Sequence, residues 1–136
     1  MGIATKHRRK INVKGRIFVW YVCEDIENFS LATLHVISED KRFNVAYSLF
    51  QYDTQRHMVV LGKEFPGLAE AGHCWNRVVC PQWEVGRTIT PASVRRLIEW
   101  SFDSSRHLIL VDWTGKPLTK TEDEPFGLKP RISDTL

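Results

Sequence analysis

Only one stretch of this sequence has the spacing of a helix: Thr90-Pro91-Ala92-Ser93-Val94-Arg95-Arg96-Leu97-Ile98-Glu99-Trp100-Ser101-Phe102. Thr90 is a favourable N-cap, because its side-chain oxygen accepts from an otherwise unpartnered N–H of the first turn. Pro91 suits the first helical position, where its missing N–H had no partner. Val94, Leu97, Ile98 and Ser101 fall on one face, widened by Trp100 and Phe102, while Arg95, Arg96 and Glu99 point away. This predicts a helix from Pro91 to Asp103 or Ser105. One helix can cover one face of one sheet, and that limits every architecture the remaining residues can build.

Nearly everything before the helix reads as strand. Lys10-Ile11-Asn12-Val13 alternates, Lys14-Gly15 has turn chemistry, and Arg16 to Cys23 is dense in β-branched and aromatic residues. The two-residue connection requires antiparallel pairing. Leu31 to Ser38 follows, with Leu34 and Val36 marking its buried face. Phe43, Val45, Tyr47 and Leu49 then line one face of the next run. His57 to Leu61 and Arg77 to Cys80 are further short strands, and His107 to Trp113 is a last strand-like run or edge cover. The expected fold is α+β: an antiparallel meander sheet of five or six strands with one main C-terminal helix packed on one face. Residues 1–8 read as a flexible basic arm, 9–113 as a single domain, and 114–136 as a tail, partly docked or disordered.

The strands carry more apolar surface than this helix can cover. Ile17, Val19, Tyr21 and Cys23 face one side and Phe18, Trp20 and Val22 the other. The second face must be polar, packed on another chain, or shielded by the Gly- and Pro-punctuated region from Gly62 to Gly86. This is the sequence's main argument for a binding role.

Charge is uneven. The chain carries a formal +3, and Lys6, Arg8, Arg9, Lys10, Lys14 and Arg16 crowd the first sixteen residues with no acid among them. Such an arm can grip phosphates. Three cysteines leave at least one unpaired, and no apolar signal core precedes the first strand, which together predict a cytoplasmic setting. No apolar run approaches the roughly twenty residues of a membrane helix.

Catalytic and metal signatures are weak. His73-Cys74 with Cys80, completed by Cys23 or His107, lacks the close ligand pairs of structural zinc sites. A thiol enzyme would need Cys74 to meet His57 or His107 and an orienting group such as Asp112, and nothing local marks that arrangement. Gly-rich phosphate loops are absent. No cofactor or metal is expected, and no enzyme.

The function expected is that of a small non-catalytic binding protein engaging a partner protein or its own copy, a bacterial immunity-type inhibitor of a toxin being one such class. Its contact residues would be Trp75, Trp83 and the acidic loop Glu24, Asp25 and Glu27. The alternative is nucleic-acid binding through the basic arm and an aromatic sheet face, for which Phe18, Trp20, Tyr47 and Phe50 supply the ring types.

Overall fold

The computed structural model describes residues 8–25, 31–68, 71–72 and 75–118. Strands β1 (Arg9–Val13), β2 (Arg16–Asp25), β3 (Leu31–Ser38), β4 (Asn44–Ser48), β5 (His57–Val60), β6 (Asn76–Val79) and β7 (Leu110–Val111) surround helix α1 (Pro91–Ser101) in the chain. They form one sheet in the order β1-β2-β3-β4-β5-β6-β7, every pair antiparallel. The expected α+β meander is therefore present, with seven strands rather than five or six. The extra strand is short: Leu110 pairs with Val78 and Val111 with Arg77. Two residues at a sheet edge leave too little alternation to count from sequence.

Local chemistry explains the ends of the elements. Lys14 and Gly15 both take positive φ, 53° and 83°, as a two-residue hairpin turn of the primed type requires, and Asn12 Oδ1 accepts from the Gly15 N–H at 2.9 Å. At the start of α1, Thr90 Oγ1 accepts from Ser93 N, and Ser93 Oγ accepts from Thr90 N, each at 3.2 Å. The helix stops at Ser101, short of the expected end. Asp103 Oδ1 accepts from both Ser105 N and Ser105 Oγ, and this bends the chain away.

Register sorts the side chains onto two faces. Phe18, Trp20, Leu34, Val36, Val45, Tyr47, Met58, Val60 and Val78 share the helix side and are buried together with Val94, Leu97 and Ile98 of α1. From the 62–86 region, Phe65 and Trp83 join this layer. Phe65 stacks on Phe43 at 6.2 Å and meets Trp100 at 6.4 Å, and Trp83 meets Trp100 edge-on at 5.8 Å. The outward arginines of the helix tie it down: Arg95 donates to the Asn12 carbonyl at 3.2 Å and Arg96 to the Trp83 carbonyl at 3.1 Å.

The opposite face carries Ile17, Val19, Tyr21, Cys23, Thr33, His35, Ile37, Asn44, Ala46, His57, Val59, Arg77 and Val79, all half-buried. Only Val111, at the β7 edge, is buried there among the described residues. Among the described residues no helix is long and apolar enough to cross a membrane.

Candidate partner-contact surface

Tyr47 stands on the helix side of β4, fully buried, and its hydroxyl has to find partners inside the protein. It donates to Glu84 Oε1 at 2.5 Å and accepts from Arg56 Nε at 3.2 Å. Burial, with Glu84 next to it, pushes the phenol well above its usual value. Glu84 is itself only 4% exposed, and its second oxygen accepts the Phe50 N–H at 3.0 Å. That bond holds Phe50 in the left-handed region at φ 64°, a conformation costing about 1 kcal/mol for a residue other than glycine.

The loop that follows is fixed by a set of hydrogen bonds centred on Gln51 and Arg56. Gln51 Nε2 donates to the Ser48 and His57 carbonyls at 2.7 and 2.8 Å, and Gln51 Oε1 accepts from His57 N at 3.1 Å. Arg56 bonds Asp53 at 2.5 Å and the Gln51 carbonyl at 3.0 Å, closing the 3-10 turn at Asp53–Gln55. On this rigid base the rings face water. Tyr52 is 79% exposed, and Phe50 is exposed beneath the Arg87 guanidinium, 4.7 Å from its centroid.

A third segment packs against this loop. Asp112 Oδ1 accepts from Thr114 N, Thr114 Oγ1 and Lys116 N, folding residues 112–116 into a tight turn that returns Pro117 to Val111. Gly115 sits against Gln55, where an added Cβ would lie 2.7 Å from the Gln55 carbonyl oxygen. Only glycine allows that approach. The turn thus packs on the Tyr52–Gln55 loop while presenting Trp113, which is 76% exposed. Val85, also exposed, lies beside Glu84 in the bridge that joins Val85 to Thr88.

The residues expected from sequence are distributed otherwise. Trp83 is 2% exposed, wedged between Trp100 and Arg96, so it is core and not contact surface. Trp75 is exposed and precedes β6 at the end where, by the antiparallel register, Trp113 follows β7. Glu24 is exposed on β2, four strand spacings or about 19 Å across the sheet from β6, and Asp25 ends the same strand. Glu27 and Lys6 lie outside the described residues. Trp75 and the acidic loop are therefore not one site.

The basic residues also separate. Arg16 is held by Glu64 at 2.6 Å and by Asp40 at 3.4 Å, Arg9 lies over Trp20 at 5.8 Å, and Lys14 is in the hairpin turn. Lys10 reaches Glu39 at 3.7 Å, and Arg8 lies over Tyr21 at 4.6 Å. Of the rings expected for a sheet-face nucleic-acid site, Phe18, Trp20 and Tyr47 are buried beneath the helix layer, because the helix side is where their strand parity sends them.

Among the described residues no three His, Cys, Asp or Glu side chains come together as metal ligands. His73 and Cys74 lie outside the described residues. Cys80 is buried, which pushes its thiol up to about 12 and favours the neutral thiol.

The Tyr52–Trp113 surface escaped sequence reading because residues 51–56 read as a plain polar loop and 114 onward as a tail. The readable signal was Asp112-Trp113-Thr114-Gly115, an acid two residues before a hydroxyl and three before a glycine, which is turn chemistry around an exposed tryptophan. No known protein family, curated protein sequence or solved structure matches this chain.

Proposed function

We propose that the chain is a non-catalytic binding protein that engages a partner protein through the surface formed by Phe50, Tyr52 and Trp113. The observation that carries this reading is the contrast within one loop: its backbone is pinned by a buried carboxylate and an arginine, while its large rings are left in water. Tyr and Trp dominate interface energetics because they supply large contact area for little lost conformational freedom. A rigid base lowers the ordering cost of binding further. An inhibitor of the bacterial immunity type, which occludes a toxin by surface complementarity, is the class this design suits.

The test uses the tagged chain and its Tyr52→Ala/Trp113→Ala variant to recover a partner from source cells, followed by titration of the purified partner against each. Both side chains are exposed, so melting temperatures should agree. Affinity should fall by about thirtyfold or more. Equal affinity of the purified partner for both chains would overturn the reading. Glu84→Ala serves as a second variant: it strands the Tyr47 hydroxyl and the Phe50 N–H, should cost about 3 kcal/mol of stability, and should weaken binding by loosening the loop.

A further inference from the structure

The face of the sheet opposite the helix, which no helix covers among the described residues, holds a separate feature that does not depend on the loop surface. One row of side chains crosses it in register: Tyr21 pairs with His35, His35 with Ala46, Ala46 with Val59, and Val59 with Arg77. The first part of this row is a stack. The Arg8 guanidinium lies 4.6 Å from the Tyr21 centroid, and the Tyr21 and His35 rings are 4.9 Å apart at an interplanar angle of 17°. That interval is one strand spacing, about 4.8 Å. The next position in the row is Ala46, where the stack stops because a methyl group replaces a ring.

From the β3 backbone to the β5 backbone is about 10 Å, with Ala46 as floor, His35 as one wall and Val59 as the other. A planar ring placed over Ala46 would meet His35 at the interval at which His35 meets Tyr21. The flanking positions of β4 on this face, Asn44 and Ser48, are polar, and the buried Asn44 Oδ1 has no hydrogen-bond partner. Among the described side chains, the unpaired charge nearest the slot is basic. Among the described side chains, the strands of this face carry Lys10 and Arg77 and no carboxylate, Arg8 caps the stack, and Glu39 in the following turn is paired with Lys10. A neutral planar ring carried on a negatively charged backbone is the complement of such a surface. A partner's aromatic side chain would satisfy the slot and leave the cations unused.

The geometry points to a base-binding slot: one nucleobase of a single-stranded nucleic acid stacks on His35 above Ala46, with its backbone phosphates toward Arg77 on one side and Arg8 on the other. A base inside a duplex is excluded, since its neighbours stack on both of its faces.

The experiment is fluorescence anisotropy with a short labelled single-stranded RNA, its DNA counterpart and the duplex of the same sequence. The wild-type chain should bind at least one single strand more tightly than the duplex, with affinity falling steeply as salt rises. Ala46→Leu, which fills the slot on an exposed face, should weaken that binding about tenfold. Arg77→Ala should weaken it and flatten the salt slope, and Tyr52→Ala should leave it unchanged. Preference between RNA and DNA decides which strand is the ligand. Independently of any variant, the His35 ring protons of the wild-type chain should move upfield on addition of the strand. Equal affinity for duplex and single strands with Ala46→Leu unaffected would overturn the proposal, leaving only attraction of the basic arm to phosphate. So would unmoved His35 resonances, or a partner protein occupying this face in place of any nucleic acid. Failure here leaves the Tyr52 and Trp113 test untouched, because the two surfaces use different residues.

Discussion

At the scale of single residues, His35 is a side chain whose protonation bears on stability near neutral pH. Desolvation in the Tyr21 stack, with the Arg8 charge as a second cause, holds its imidazole below the ordinary value of 6.5. The folded state therefore resists a proton that the unfolded chain accepts. The stabilising contribution is complete above pH 6.5 and is lost as pH falls below it, until the lower folded value is reached. Denaturant titrations between about pH 7.5 and pH 5 should show stability falling with acidity, and His35→Gln should flatten that dependence. A dependence of the same size in the variant would remove His35 as its cause. The individual partners of this residue were hidden from sequence, since strand parity places His35 on a face but only register puts it beside Tyr21.

At the scale of elements, the helix is where sequence and structure agree best. Thr90, Pro91, Val94, Leu97, Ile98 and Ser101 are all positioned as local chemistry requires, and Ser93 adds the reciprocal half of the cap. Thr90→Ala should cost about 1 kcal/mol by equilibrium unfolding, and Ser93→Ala should cost a similar amount, because each removes one arm of the same box. The Lys14-Gly15 hairpin is equally local, needing only two residues that tolerate positive φ. The Phe50 loop is the opposite case. Its shape is set by Glu84, thirty-four residues later in the chain, and no inspection of residues 49–57 would find it.

At the scale of the whole molecule, the buried residues of β1 to β6 and the helix meet in a single layer, with Trp20 and Trp83 both inside it and half-buried Leu110 of β7 packed against it. Unfolding should accordingly be one transition, with tryptophan fluorescence and far-ultraviolet circular dichroism giving the same midpoint. Separate midpoints would show that the 62–86 region detaches from the sheet before the strands part.

Alternation, turn chemistry and the Thr90 cap determined by themselves that this chain forms an antiparallel meander with one helix on one face, because each depends on neighbours two to four residues away. Tertiary structure alone decided which aromatics are function candidates. Trp83 and Trp113 are both tryptophans in Gly- and Pro-rich surroundings, yet one is wedged against Trp100 and the other stands in water. Burial of a ring is settled by what other segments bring to it, and those segments are distant in the chain.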